Sequence, residues 1–353
     1  MLKKVRKGEE LNEVSLKVYL KENQLISNIK SDLDILQFSN GFSNLTYQLE
    51  IENKQYVIRK PPQGAVFGHD MGREYKVLKG LNNGFDKAPK AYAYSSDTNI
   101  IGTPFYIMEK VKGVIITTKE MKEKTISSKD FSIISKTWLD TLVELHQLDY
   151  NKLGLSDLGK PEGYVERQVR NWSKQYLKAA TEDVKEAELV MSWLSNNLPK
   201  QYKHSLIHND YKYDNVMFSS ESWGKINSVL DWEMCTIGDP LMDLGTSLAY
   251  WAMSSDHVGL IKAFNYPTSL NGNPSRLEIV KMYEQKTEEP VNNLVFYYVF
   301  GLFKIAVIVQ QIFYRYNKGL SSNEKFKDLD RVTKTLCKIG WQSIQKNRIE
   351  NLF

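Results

Sequence analysis

The chain of 353 residues has only two cysteines, Cys235 and Cys337. Two thiols cannot build a disulfide framework or a multi-cysteine metal site, and they fit a reducing compartment. The N-terminal cations Lys3, Lys4, Arg6 and Lys7 are not followed by an apolar segment, so no secretory leader is expected and the cluster reads as a solvated end. One apolar run, Leu294 to Val309, is sixteen residues long and interrupted by Lys304. That is short for a membrane span and reads as a buried helix. Internal repeats and low-complexity stretches are lacking. Neither sign of charge dominates, with 47 Lys and Arg against 42 Asp and Glu and a net charge of +5. Interspersed charge of this kind argues weakly for an anionic ligand and hardly at all for DNA. A soluble cytoplasmic protein is the expectation.

What is present is ordinary globular composition, 42% apolar and 25% charged, over a length that suggests two packed lobes. Residues 9 to 25 read as an amphipathic helix with Leu11, Val14, Val18 and Leu25 near helical spacing. From Asp34 the pattern changes to strands. An alternating run, a turn rich in Ser, Asn and Gly, a second run over Leu45 to Ile51 and a third over Tyr56 to Arg59 precede Pro61-Pro62. Gly41 in the first turn lets the backbone approach a charged ligand, and Ser43 and Asn44 add donors. An ordinary hairpin explains a lone glycine equally well. A helix starting near His69-Asp70 then brings Glu74, and Arg59 with Glu74 are candidates for a cation–carboxylate pair that positions ATP phosphates. Lys60 is the neighbouring alternative, but it abuts the prolines. Asp70 reads as a helix cap, not a metal ligand.

Two more strands, near Ala91–Tyr94 and Pro104–Met108, lead to a polar connector over residues 109–113. There the backbone of Glu109 and Val111 is expected to read an adenine edge. These features predict an N-terminal lobe over 1–108, a hinge over 109–113 and a C-terminal lobe over 114–353. Beyond Ile126 the chain reads as mostly helical, including helices over Phe131–Leu148, Lys185–Leu198, Ala249–Phe264, Arg276–Gln285, Val291–Tyr316 and Phe326–Ile344. His146 reads as a packing residue. Arg167, Arg170 and Lys174 share one helical face. That face is a solvated stripe, or else, with Trp172 and Tyr176 nearby, it lines a cleft for an anionic substrate.

The chemistry concentrates between His208 and Asp243. HNDYKYDNVMF contains H-x-D-x-x-x-x-N (His208, Asp210, Asn215), and Asp231 follows Asp210 by 21 residues at the end of an apolar run. Short strands are expected at Ser205–Ile207, Asn215–Phe218 and Ser228–Leu230, which places all three polar residues at strand ends. Asp210 is the candidate for holding or deprotonating a hydroxyl. Asn215 and Asp231 are candidate magnesium ligands, and Lys212 is placed to touch the transferring phosphoryl group. Asp239-Pro240 reads as a helix start and Asp243 as a loop brace. Glu233 is open between a water-mediated metal contact and a structural role.

Taken in order, GFSNLTY (41–47), YVIRKPPQG (56–64), HDMGREYKVL (69–78), PFYIMEKVKG (104–113), GYVERQVRNW (163–172), HNDYKYDNVMF (208–218), LDWEMCTIGDPLMDLG (230–245) and LFKIAVIVQQIFYRY (302–316) resemble the aminoglycoside phosphotransferase and choline kinase-like superfamily. The chain is most similar to the kinase domains associated with acyl-CoA dehydrogenases. The resemblance implies an α+β, two-lobed, protein-kinase-like fold with a small antiparallel-sheet lobe and a larger helical one. It also implies ATP and Mg2+, and a small-molecule hydroxyl acceptor, for the close relatives a hydroxy fatty acid or its coenzyme A ester. A functional link to an acyl-CoA dehydrogenase goes with it, and nucleic acid and membrane do not. The chain departs from the pattern in having one glycine instead of three in the phosphate turn, Arg59 in place of Lys, and Asp-Trp-Glu in place of Asp-Phe-Gly. An Arg keeps the charge but not the geometry. The competing readings are an aminoglycoside-type phosphotransferase and a nucleotide-binding pseudokinase. A protein kinase is disfavoured because no Ala-Pro-Glu segment follows Asp231.

Overall fold

Alternating apolar residues from Asp34 onward build an antiparallel sheet, and the strands they form stay together in one part of the molecule. The computed structural model describes residues 2–38, 44–62, 70–117, 126–264, 267–321 and 323–353, with side chains at 263–264 left aside. The expectations for Gly41 and Ser43, for the turn around them and for His69 lie outside the described residues. The chain divides into two compact units, the first made of Met1–Gly113, Asn151–Leu158 and Asn227–Cys235 and the second of the remainder.

In the first unit six strands run in the order β1-β2-β3-β4-β6-β5. They are β1 (Leu2–Lys4), β2 (Asp34–Phe38), β3 (Leu45–Ile51), β4 (Lys54–Lys60), β5 (Ala91–Ser95) and β6 (Phe105–Glu109). All their pairings are antiparallel. Glu52 and Asn53 join β3 to β4 with φ of 51° and 59°. Two consecutive residues in that region twist the hairpin as its strands require. The N-terminal cations are a correction: Leu2–Lys4 is an edge strand paired with β2, Leu2 opposite Phe38 and Lys4 opposite Leu36. Lysines on an edge discourage further strand addition, so charge here coexists with order.

Helix α1 (Glu13–Glu22) starts at Asn12, whose side chain accepts from the Ser15 N–H. It buries Leu16 and Leu20 against Tyr47, Leu49, Ile58, Phe105 and Ile107. The expected apolar face is wrong in phase, because Val14 and Val18 are exposed, while Leu11 and Leu25 are buried from outside the helix. Tyr56 and Ile58 point into this cluster, so alternation sends Val57 and Arg59 to the opposite face. Helix α2 (Met71–Leu81) begins at Asp70, which caps the Arg73 N–H. A short α3 (Thr98–Ile101) occupies part of the turn expected between β5 and β6.

The second unit is helical. It holds α4 (Ser128–His146), α5 (Tyr164–Ala179), α6 (Lys185–Asn196), α7 (Pro240–Tyr250), α8 (Val258–Phe264), α9 (Arg276–Thr287), α10 (Leu294–Asn317) and α11 (Leu329–Lys346). The helix expected over 249–264 is two pieces instead, since α7 stops at Tyr250 and α8 resumes at Val258. The Ser254-Ser255-Asp256 segment breaks the helix, and Asp256 caps the Met253 N–H and pairs with buried Arg276. Helix α10 is long and apolar enough to cross a membrane, yet 72% of its most apolar window is buried, packed on α11, α7 and α5. Short strands fix the loops around it. Strand β7 (Val114–Ile115) pairs with β9 (Val216–Phe218), and β8 (Ser205–Ile207) pairs with β11 (Thr236–Gly238). Strand β10 (Ile226–Val229) leads to Asp231.

Candidate active site

The first set of polar residues gathers on β4. Arg59 sits opposite Thr46 of β3 and Tyr106 of β6, in the middle of the sheet, and is buried. Its Nη1 donates to Glu74 Oε1 at 2.5 Å, and its Nη2 donates to Asp231 Oδ1 at 3.0 Å and lies 3.7 Å from Glu233 Oε2. Asn44 Nδ2 donates to the same Glu233 oxygen at 3.0 Å. One guanidinium therefore ties a strand, a helix and the Asp231 segment. Burial works against its charge, but Tyr106, Glu74, Asp231 and Glu233 together outweigh that and hold it protonated. Burial also pushes the Glu74 carboxyl up, and Arg59 offsets only part of the rise. The Arg59 Nε has no partner among the described residues, so a donor is left over for an anion.

Asp231 adopts φ 67° and ψ 60°, a left-handed conformation that Asp tolerates better than most residues. It is held there by Trp232, which is buried, donates from Nε1 to Val229 O at 2.8 Å and meets Phe85 edge-on. A strained acid fixed by a buried indole on the next residue is a common arrangement at functional sites.

The second set sits on the loop after β8. Asp210 accepts from Lys212 Nζ at 3.0 and 2.8 Å and from Asn215 Nδ2 at 2.8 Å. The same Asn215 nitrogen also donates to the Asp210 carbonyl at 2.9 Å. With its NH2 engaged, Asn215 keeps its amide oxygen as the ligand atom. Lys212 also stacks over the Tyr250 ring at 4.5 Å. The loop is braced from beneath by Asp243 of α7, which accepts from His208 N at 2.7 Å and Asn209 N at 2.8 Å. Burial works against the Asp243 charge, but His146 and His208 hold its carboxyl below the usual range. His146, buried, bonds Asp243 through Nε2 and the Tyr283 hydroxyl through Nδ1. Asp239 caps α7 through Leu241 N, with Pro240 at the first turn.

The structure thus brings Asn44, Arg59, Glu74, Asp231 and Glu233 together in one unit, and Asp210, Lys212 and Asn215 together in the other. Glu109 ends β6, and its N–H donates to Lys90 O at 2.8 Å, so that group is not free for a base. Val111 is half-buried just past the strand. The basic stripe on α5 is a different matter: Arg170 and Lys174 face solvent, Arg167 binds the Glu162 and Lys160 carbonyls, and Trp172 and Tyr176 are core residues. It behaves as a solvated face. A cavity of about 570 Å³ lies behind His146 and Asp239 and is lined by Tyr202, Tyr283 and Tyr297. None of the proposed site residues lines it. Lys304 and Tyr164, which grip Asn209, escaped the sequence reading. The one signal for Lys304 was a cation inside an apolar run.

Among the described residues no group of three or more His, Cys, Asp or Glu is spaced to hold a metal ion. A magnesium ion carried on nucleotide phosphates needs only one or two protein ligands, all oxygen, and Asp231 and Asn215 meet that donor chemistry.

The family profile described as Phosphotransferase enzyme family matches residues 34–265. Acyl-CoA dehydrogenase family member 11 of Homo sapiens is 35% identical over 339 residues, covering 93% of this chain, which spans 42% of that protein's length. A crystal structure of a Ralstonia eutropha protein assigned as an aminoglycoside phosphotransferase superposes with a TM-score of 0.81 at 29% identity, over 96% of this chain and 99% of that one. A thermostable mutant of an aminoglycoside phosphotransferase, solved with AMP-PNP and hygromycin B, gives a TM-score of 0.59 at 12% identity over 93% and 98%, a likeness of fold alone. With a profile spanning most of the chain and a kinase-like neighbour along nearly all of it, this protein belongs to the phosphotransferase enzyme family, on a protein-kinase-like fold.

Proposed function

We propose that the protein is an ATP-dependent kinase that transfers the γ-phosphoryl group to the hydroxyl of a small molecule, a hydroxy fatty acid or hydroxyacyl-CoA. The observation that carries the reaction class is the Asp210 carboxylate, fixed by Lys212 and Asn215 on a loop whose backbone Asp243 holds. An acid presented in this way orients an acceptor hydroxyl and takes its proton as the oxygen–phosphorus bond forms and the bond to the β-phosphate oxygen breaks, releasing ADP. Arg59, kept in place by Glu74, is the proposed phosphate cation, with Gly41, Ser43 and Asn44 as further phosphate contacts and the main chain of Glu109 and Val111 at the base. Asn215 and Asp231 are the proposed magnesium ligands, and a bound magnesium ion would neutralise charge on the phosphate oxygens.

The acyl acceptor is supported by the acyl-CoA dehydrogenase relatives, whose matching portion runs along 93% of this chain. A functional link to a dehydrogenase acting on the same acyl compound belongs to this reading. A pseudokinase would be expected to have lost Asp210, Asn215 or Asp231, and all three are present.

The test is a panel of hydroxyacyl-CoA esters, free hydroxy acids, choline, sugars and aminoglycosides with Mg-ATP. Transfer to a hydroxyacyl compound is expected, with Asp210→Asn lowering kcat at least ~1,000-fold. ATP binding without transfer to any acceptor would establish the pseudokinase, and transfer to aminoglycosides alone would overturn the acyl assignment.

A further inference from the structure

Lys304 is an ammonium group in the most apolar helix of the protein. It is 2% exposed and flanked by buried Phe303 and Ile305. Burying such a charge is expensive unless something specific receives it. Its Nζ donates to the Asn209 carbonyl at 2.5 Å and lies 3.3 Å from Asn209 Oδ1, and it stands 5.8 Å from the centre of the Trp172 ring. Nothing in the reaction scheme above uses it.

The receiving residue is unusual too. Asn209 has a φ of 68°, a left-handed conformation immediately before Asp210. Each of its polar groups is held by a different helix. The N–H goes to Asp243 of α7, the carbonyl to Lys304 of α10, and the side-chain amide to the Tyr164 hydroxyl of α5. The Asn209 carbonyl belongs to the same peptide group as the Asp210 N–H, which itself donates to His208 Nδ1 at 3.2 Å. Fixing that carbonyl fixes the plane from which Asp210 departs.

We propose that Lys304 is a positioning residue for phosphoryl transfer: by clamping the Asn209–Asp210 peptide from α10, it holds Asp210 in its reactive orientation. The catalytic consequence rests on the kinase reading, whereas the clamp itself does not. The charged groups acting on the amine are Asp210 and Lys212 from the loop and Asp243 from α7, with the Trp172 ring and Tyr164 on α5. Burial is the largest influence and lowers the amine to about 8, Lys212 adding to it and the two carboxylates opposing it. The clamp therefore carries a full charge below about pH 8 and loses it as pH rises through that value.

Two measurements test this. In amide hydrogen exchange, Lys304→Met should speed exchange across residues 206–213 about tenfold while the melting temperature stays within a few degrees of wild type. In the wild-type protein, which needs no variant, protection of the same segment should fall as pH rises through about 8. Protection that is constant from pH 7 to 9.5, or unchanged exchange in a folded Lys304→Met, would overturn the clamp. For turnover, Lys304→Met should lower kcat roughly 30-fold with the KM for ATP within twofold. It should also lose the alkaline fall of kcat seen in the wild type, and propylamine should restore part of the rate in Lys304→Ala. Absence of transfer in the wild-type protein would fail the kinase reading and leave the exchange result to decide the clamp. Unaltered kcat in the variant, with an active wild type, would overturn the positioning role.

Discussion

Arg59 serves three carboxylates with one charge, and each side of that arrangement has a measurable consequence. Glu74 is 2% exposed and depends on Arg59 for most of the stabilisation of its ionised form. Arg59→Met is therefore expected to cost about 3 kcal/mol, the usual size for breaking a buried pair from one side, read by urea denaturation. Arg59→Lys keeps the charge, but a single ammonium cannot span Glu74 and Asp231 as two guanidinium nitrogens do. A stability loss of about 1 kcal/mol and a roughly tenfold higher KM for ATP are expected. A lysine variant with unchanged KM would show that the wider family's lysine and this arginine are equivalent here. At this scale the sequence was readable for Asp210, Asn215, Asp231, Arg59 and Glu74, because their spacing repeats a known pattern. It was unreadable for Lys304, whose partner is a main-chain carbonyl 95 positions away and leaves no side-chain signature.

Helices α7 and α10 meet backbone to backbone. A Cβ on Gly245 would fall 2.3 Å from the Tyr297 carbonyl oxygen, and one on Gly301 would fall 2.5 Å from the Gly245 carbonyl oxygen. Neither obstacle is a movable side chain, so an added methyl must push the helices apart. These are the elements that carry Asp243 and Lys304, and each glycine lies within one turn of the residue that grips the Asp210 loop. Gly301→Ala is expected to destabilise by about 1–3 kcal/mol and to lower kcat more than tenfold at temperatures where the protein remains folded. A destabilised variant with wild-type kcat would separate helix packing from loop geometry. Long alternating or periodic segments such as β2 to β4 and α10 were legible. Elements of two or three residues such as β7 and β11 were not, since a partner strand defines them and not their own pattern. Helix α1 was legible in existence but not in phase: it spans ten residues, so Leu11 and Leu25 lie outside it and misled the choice of face.

For the molecule as a whole, the reaction class was easier to read than the acceptor, because catalytic spacing is sequence-local and an acceptor pocket is assembled from distant helices. The basic stripe on α5 illustrates this, with Arg167 engaged by main-chain carbonyls. The discontinuity of the first unit bears on how the protein is made. Residues 151–158 and 227–235 return to complete it. Leu155 packs where a Cβ on Gly80 would fall 2.7 Å away, Asp157 pairs with Lys76 at 2.5 Å, and Val229 N donates to Lys87 O at 2.7 Å. Synthesis proceeds from the N-terminus and favours units whose chain is contiguous. Here the ribosome must deliver residue 235 before the first unit has all of its chain. A fragment ending at Gly113 is expected to be readily digested by protease where the same segment in the full chain resists, and one ending past Cys235 to regain that resistance. The nascent sheet then waits through more than a hundred further residues with its last layer missing, an interval in which chaperone binding is expected to concentrate on α2.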